Sequence, residues 1–348
     1  MLAKRVSELP LGEGWLFEPK WDGFRTLIFR DGDELFIQSR DEKPLDRYFP
    51  ELAAPLKAQL PERCVLDGEI VVAVGDRLEF DVLQMRLHPA ASRVQKLSKE
   101  LPASVVFFDL LAEGKTDLTK VAFEERRERL CALLGDAKPP LHVTPATRDP
   151  KTAADWFKRF EGAGLDGVMA KQLAGVYEPN KRTMLKVKHE READCVVAGF
   201  RWHKNGEGTA IGSLLLGLFN DAGELQHVGV CASFPMAKRQ ELVKFLEPYR
   251  RNALENHPWG AWATAQEEAT QRRPGAVSRW SQGKDLSWEP LRAELVVQVA
   301  YDHMQGDRFR HTAQFRRWRT DKQPRDCTYE QLEVIPPHEL REIFATRG

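Results

Sequence analysis

The stretch "FRTLIFRDGDELFIQSR", residues 24 to 40, alternates apolar and polar side chains on both sides of Asp31-Gly32-Asp33. Alternation with period two sends successive side chains to opposite faces of a strand, and a glycine at the reversal tolerates the backbone of a tight turn, so the pattern predicts a β-hairpin. "CVLDGEIVVAVGDRLEF" (64 to 80) repeats the design. "SVVFFDLL" (104 to 111) is an apolar run short enough for a buried strand, while "FEERRERLCALL" (123 to 134) has helical spacing. "AADWFKRFEGAG" (153 to 164) predicts another helix, closed by Gly162 and Gly164, and "DGVMAK" and "TMLKVKH" predict two short strands. Residues 1–190 thus predict antiparallel sheets flanked by helices, an α+β arrangement.

Beyond "EREAD" the texture changes to short strands separated by glycines: "CVVAGFRW", "GSLLLGLF", "LQHVGVCASF", later "AELVVQVAYDH" and "FRRWR". This predicts a small all-β barrel over residues 191–348. Two domains also suit the 348-residue length, because single cores stop growing at about 250 to 300 residues. Within the second half, 250 to 290 is rich in Arg, Trp and Gly with little periodicity, and reads as a long loop around one helix.

Lys+Arg and Asp+Glu number 52 each, so an anionic partner must be met by local clusters rather than by bulk charge. Residues 308 to 325 supply one: Arg308, Arg310, Arg316, Arg317, Arg319, Lys322 and Arg325 stand against Asp321 alone, with Phe309, Phe315 and Trp318 interleaved. Such a cluster suits a polyphosphate or a DNA backbone. The five cysteines are odd in number and widely spaced, which predicts buried thiols in a reducing compartment rather than disulfides or a zinc site. The N-terminus lacks the apolar core of a signal peptide and no run has the length of a membrane helix, so a cytoplasmic protein without membrane attachment is expected.

Chemistry concentrates around "LFEPKWDGFR" (16 to 25), where Lys20 sits among apolar neighbours and is followed by Asp22, Gly23 and Arg25. A lysine becomes a nucleophile only when desolvation or nearby positive charge lowers its pKa. By itself the string reads as a solvated turn. Lys186 and Lys188 alternate on one strand and share a face; aimed at the same place as Lys20 they would bind phosphate and depress its pKa, and otherwise they form a solvated face.

The order of short motifs decides between these readings. "KWDGFR" (20 to 25), "SR" (39, 40), "LDGEIVV" (66 to 72), "VFFDLL" (106 to 111), "DGVMAK" (166 to 171), "LKVKH" (185 to 189) and "RRWRTDK" (316 to 322) resemble, in order, the motifs of the covalent nucleotidyltransferase superfamily, which covers ATP-dependent DNA ligases, RNA ligases and mRNA capping enzymes. The second half looks closest to bacterial ATP-dependent DNA ligases of the LigC and LigD ligase-domain type, and the resemblance spans nearly the whole chain. It implies an α+β nucleotidyltransferase (adenylation) domain followed by an OB-fold barrel.

The resemblance also implies roles. Lys20 is the residue that becomes joined to AMP from ATP, with Asp22 in the same motif and Lys186 and Lys188 on the phosphates. Glu69 and Asp166 are expected near a divalent metal, Mg2+ or Mn2+, or the ribose. The family usually has glutamate at the position of Asp166, and the shorter side chain is expected to reach an ion through water. Phe108 is expected against the adenine face, Glu18 at its exocyclic amine, and Lys171 on the adenine or phosphate side. Arg25 and Arg40 match residues that grip the 5′-phosphate of a nick. Arg319 and Lys322 match the last motif, Arg-x-Asp-Lys, which orients the leaving pyrophosphate when the barrel closes over ATP.

The resulting expectation is a monomeric, nucleoid-associated ligase that seals nicked double-stranded DNA in repair. DNA repair proteins such as a primase-polymerase or an end-binding factor are the partners it implies. Nineteen residues precede Lys20, so the extra N-terminal DNA-binding domain of larger ligases is expected to be absent. An RNA ligase, a capping guanylyltransferase and a catalytically silent nick-binding module remain open; a generic single-strand-binding barrel leaves the first half unexplained.

Overall fold

The computed structural model describes residues 1–260, 287–332 and 340–345, and the alternating stretch at 24 to 40 forms its hairpin. Strands β3 (Phe24–Asp31) and β4 (Glu34–Ser39) pair antiparallel from Thr26↔Ser39 to Asp31↔Glu34. Gly32, with φ 60°, makes the reversal. The second hairpin is real but short. β5 (Arg63–Val74) turns at Gly75 and meets β6 (Arg77–Leu78) over two residue pairs, while its length is spent on β3 and on β7 (Ala103–Glu113).

Contacts divide the chain into two units, Met1–His189 with Ile335–Gly348, and Glu190–Val334. The first holds two sheets. One runs β4-β3-β5-β7-β8, where β8 is Thr116–Asp117, and β9 (Leu141–Val143) adds to β7 in parallel. The other runs β1-β11-β10-β2, from β1 (Leu2–Arg5), β11 (Arg182–Lys188), β10 (Gly167–Gln172) and β2 (Trp15–Lys20). The pair β1/β11 is parallel, so the wholly antiparallel expectation fails there and at β9.

Helices cover these sheets: α1 (Ala53–Gln59), α2 (Phe80–Met85), α3 (Ala91–Glu100), α4 (Phe123–Leu134) and α5 (Pro150–Arg159). Asp149 caps α5 by accepting from the backbone of Lys151 and Thr152, and Gly164, at φ 86°, ends the turn that follows. Phe17, Val168, Val71 and Val106 bring both sheets into one core with Trp156 of α5. Each such side chain contributes about 2 kcal/mol when fully buried. Leu340 and Ile343 of the helix Leu340–Ala345 join that same core. The expectation that residues 191–348 form one domain is therefore corrected at its end: an apolar helical face follows its burial partners, here in the first unit.

In the second unit, β12 (Arg191–Trp202), β13 (Ile211–Phe219), β14 (Leu225–Cys231), β15 (Glu289–Tyr301) and β18 (Gln314–Trp318) form a sheet ordered β14-β13-β12-β15-β18, beside a small hairpin of β16 (Met304–Gln305) and β17 (Arg308–Phe309). The two edges meet where the Ala313 N–H donates to the Val230 carbonyl at 2.9 Å, which curls the sheet on itself. Helix α6 (Met236–Arg250) seats Leu242 and Leu246 on its core. Most of the predicted 250–290 loop, residues 261–286, lies outside the described residues. Among the described residues no helix is long and apolar enough to cross a membrane, and all five cysteines are free thiols, four buried and Cys131 exposed.

Candidate functional site

Strand register puts the chemistry on one face. Gly167 stands between Lys20 on β2 and Lys188 on β11, and two residues along, Met169 stands between Glu18 and Lys186. Residues two apart on a strand share a face, so Glu18, Lys20, Lys186 and Lys188 converge. The row is tight. A Cβ on Gly167 would lie 2.0 Å from the Val187 carbonyl oxygen, and its φ of 138° disfavours any other residue. Gly23 is similarly placed, 2.2 Å from the Ile70 carbonyl, which lets the chain turn from β2 into β3 against β5.

A cavity of 310 Å³ opens at this face, lined among others by Glu18, Lys20, Arg25, Glu69, Phe108 and Lys186, with Lys171 and Arg40 also on its wall. A larger, more open concavity of 770 Å³ lies at the far end of the hairpin and contains none of them. The residues that the motif order singled out in the first unit are thus gathered on its wall, apart from Asp22, Asp166 and Lys188.

Asp166 overturns one expectation. Its carboxylate, 5% exposed, pairs with the Lys20 ammonium and lies 3.1 Å from Lys188 Nζ. Burial lowers the Lys20 pKa, but the attraction of Asp166, aided by Glu69 and Asp22, outweighs it, and the pKa is raised rather than depressed. The lowered lysine is Lys186, through burial first and then the positive charges of Lys20 and Lys188. The backbone N–H of Asp166 also donates to the Lys20 carbonyl at 2.8 Å, fixing the pair at both ends.

Glu69 faces Arg25 across β3/β5 and accepts from the Gly23 N–H at 3.2 Å. Desolvation pushes its carboxyl up to about 7 in spite of Lys20 and Arg25. A desolvated carboxylate on the cavity wall is an oxygen donor of the kind a hard divalent cation takes, since such ions bind through one or two carboxylates plus phosphate.

Arg25 lines the cavity and is held from behind by an ion pair. Both its Nε and Nη2 donate to the buried Asp67, at 3.0 and 2.6 Å, Tyr177 Oη donates to the same carboxylate at 3.1 Å, and its guanidinium lies 5.8 Å from the Phe108 ring centre. Its Nη1 donates to the Met1 carbonyl, so all three nitrogens of Arg25 are engaged, while Arg40 is exposed at the end of the same hairpin. Phe108 itself escapes the core because of a bulge. Asp67 pairs with Asp109 and Gly68 with Phe107, so Phe108 has no opposite residue and its ring turns toward the cavity, half-buried in a strand of buried neighbours.

Glu18, nearly inaccessible, receives Lys171 Nζ at 2.6 Å and Arg127 Nη1 at 3.4 Å. Lys171 also lies 4.5 Å from the Phe108 ring centre and donates to the Phe108 carbonyl at 3.3 Å. Arg127 and Asp67 are partners that sequence reasoning missed. Arg127 lies within "EERRER", which reads as a solvated helical face, yet α4 turns it inward, and Arg126 beside it is buried against Asp109 at 2.8 and 2.9 Å.

The basic run of the second unit is less one-sided than its sequence. Strand β12 and the residue before it set acids beside the run: Arg316 pairs with Glu190 and approaches Glu192 at 3.6 Å, and Arg319 and Lys322 both reach Asp194, at 2.8 Å each. Arg317 donates to Gln298 at 2.7 Å. Acids 120 or more residues away in sequence thus temper the cluster locally.

Residues 1–188 match the family described as the ATP dependent DNA ligase domain, and residues 207–322 match the ATP dependent DNA ligase C terminal region. DNA ligase C2 of Mycolicibacterium smegmatis is 54% identical over 340 residues, covering 97% of this chain and 94% of that protein. DNA ligase C of Mycobacterium tuberculosis is 54% identical over 337 residues, covering 96% and 93%. A solved structure of a Lig E DNA ligase, 18% identical, covers 92% of this chain and all of that one with a TM-score of 0.53, a likeness of fold.

Proposed function

The chain belongs to the ATP-dependent DNA ligase family, and from that premise we propose that Lys20 attacks the α-phosphate of ATP, expels pyrophosphate and carries AMP to the 5′-phosphate of a nick in duplex DNA, where the 3′-hydroxyl displaces it and seals the strand. The observation that carries this reading is the convergence of Lys20, Lys186 and Glu69 on one 310 Å³ cavity, with Asp166 joining Lys20 to Lys188.

Before attack the Lys20 ammonium must give up its proton, and Asp166 is the group in contact with it. Lys186 and Lys188, on one face of their strand beside Lys20, supply positive charge where the phosphoryl oxygens gain negative charge. A divalent cation held by Glu69 and Asp166 would add charge stabilisation on the same oxygens. The Phe108 ring offers a face for the adenine, and Glu18 an acceptor for its amino group, held in place by Lys171 and Arg127. An amino group at that position is a feature of adenine, so ATP is favoured over GTP. Arg25 orients the Phe108 side of the cavity, and Arg40, with its exposed guanidinium, is the better placed of the two for a nick phosphate.

We further infer that the second unit is an OB-type barrel whose arginines contact the DNA backbone, and that the protein acts in DNA repair. The curled five-stranded sheet supports the first part. Incubation with α-labelled ATP, compared with labelled GTP, and then with duplexes nicked in DNA or RNA, tests the whole. The expected result is label on the protein from ATP and sealing of nicked DNA, both lost in Lys20→Ala. Label from GTP, or sealing confined to RNA, would favour the capping or RNA-ligase alternatives.

A further inference from the structure

The strand that carries Lys20 is gripped by one short segment of chain, residues 144 to 147, which follows β9. Thr147 pairs with Phe17 of β2 in both directions: the Thr147 N–H donates to the Phe17 carbonyl at 2.9 Å, and the Phe17 N–H to the Thr147 carbonyl at 2.8 Å. At the other end of the segment stands Thr144, buried, with three polar atoms engaged. Its N–H donates to the Phe107 carbonyl at 2.9 Å, which continues the pairing of β9 with β7. Its hydroxyl accepts from the Trp21 indole N–H at 2.8 Å, and its carbonyl accepts from Arg127 Nη2. Arg127 in turn donates through Nη1 to Glu18 at 3.4 Å.

Thr144 is thereby joined to both flanks of the nucleophile. Glu18, Lys20 and Trp21 all line the cavity, and Phe107 adjoins Phe108 on its wall. Trp21, Arg127 and Glu18 are buried, so each of these bonds is made away from water, where a polar group without a partner is costly. Lys20 reaches the cavity on a four-carbon stem, and a small turn of its backbone is magnified at the amine. A displacement of about 1 Å at a reacting atom can lower a rate by about a hundredfold. The guanidinium of Arg127 is a rigid fork, so holding Nη2 on the Thr144 carbonyl also directs Nη1 toward Glu18.

We propose that Thr144 is a positioning residue for formation of the lysyl-AMP. Its hydroxyl, through Trp21, sets the direction of the Lys20 stem. Its carbonyl, through Arg127, sets the Glu18 carboxylate that meets the adenine amino group. The two arms can be separated, because a substitution deletes the hydroxyl and leaves the backbone carbonyl in place. The proposal rests on the reading of Lys20 as the residue that takes up AMP and of Glu18 as the acceptor for adenine.

The full chain with Thr144→Val tests the first arm against a merely structural role. Its rate of lysyl-AMP formation at saturating α-labelled ATP is expected to fall about tenfold, with the KM for ATP changed by less than about twofold. Sealing of a nick that already carries a 5′-AMP, in which Lys20 is not the nucleophile, is expected to fall by less than about threefold. Thr144→Ser, which restores the hydroxyl, is expected to recover most of the labelling rate. Trp21→Phe, which removes the donor, is expected to give the same selective loss, and the double variant to fall no further than the worse single one. If valine at 144 unfolds the first unit, Trp21→Phe carries the test. For the second arm, Arg127→Lys replaces the fork by a point charge, and the preference for ATP over purine riboside triphosphate, which lacks the 6-amino group, is expected to fall about fivefold. In Thr144→Val that preference is expected to stay within about twofold of the parent. Parallel loss of labelling and of sealing of the adenylated nick, losses that add in the double variant, labelling at the parental rate, or an unchanged preference in Arg127→Lys would overturn the proposal while leaving the ligase reading intact. Failure of the parent protein itself to take up label would overturn that reading, and the proposal with it.

Discussion

Asp166 in the first unit and Asp194 in the second are both nearly inaccessible carboxylates that hold two cations: Asp166 with Lys20 and Lys188, Asp194 with Arg319 and Lys322. The geometry is alike and the chemistry is not. Both cations of the first cluster are lysines, which exchange protons, so it can pass from ion pair to nucleophile; in the second, Arg319 keeps its charge at any working pH and aims it. The first also borders a cavity walled by Phe108 and Glu69, whereas the second sits beside the exposed Asp321. Similar ion pairs therefore serve different ends according to which cation takes part and what surrounds it.

The sharpest break in this comparison comes at Gly167, the residue that lets Lys20 and Lys188 share one carboxylate. Gly167→Ala would drive a Cβ into the Val187 carbonyl at a positive φ. It is expected to destabilise the first unit by about 2 kcal/mol or more, read by denaturant unfolding. A loss near zero would mean the row is not tightly packed.

Asp166→Asn tests whether the first cluster, and not the second, governs proton loss from the nucleophile. The Asp166 carboxylate raises the Lys20 pKa, so removing its charge is expected to move the acylation of Lys20 by an amine-directed reagent toward lower pH. Asp194→Asn is expected to leave that profile where it is. Equal shifts in both variants would erase the distinction.

Glu69 offers a pH test of stability. Its carboxyl titrates near 7 in the folded protein against an ordinary value of 4.5. The folded state therefore holds this proton more tightly than the unfolded state, and stability falls as pH rises from about 4.5 to about 7. Glu69→Gln is expected to flatten that fall in a series of thermal melts, and added Mg2+ to oppose it in the parent. The smallest effect is expected at the cavity wall: Phe108→Leu should raise the KM for ATP about fivefold, in keeping with roughly 1 kcal/mol for an aromatic contact.

The first cluster was more legible than the second. Period-two alternation placed Lys186 and Lys188 on one face, which is a local rule, and motif order grouped them with Lys20; the register that joins the three through Gly167 came from strand pairing. The direction of the Lys20 pKa was not legible, since it depends on how closely one carboxylate approaches, and both a metal ligand and a lysine partner are compatible with an acid at 166. The basic run at 308 to 325 looked one-sided because its counter-charges, Glu190, Glu192 and Asp194, arrive through strand pairing across the barrel. Arg127 was hidden by a run of charges that reads as solvated, and Phe108 was freed by a bulge that no residue pattern announces. The fate of the helix Leu340–Ala345 likewise depended on where its apolar face found partners.

The central claim is that the amine at position 20 becomes covalently linked to AMP. Digestion of the full chain after incubation with ATP and Mg2+, followed by mass spectrometry of the peptides, tests it directly. The account predicts one adenylated peptide, carrying its AMP on Lys20 and discharging it when nicked DNA is added. AMP on a different lysine, or a protein that seals nicks with no adenylated peptide at all, would contradict it.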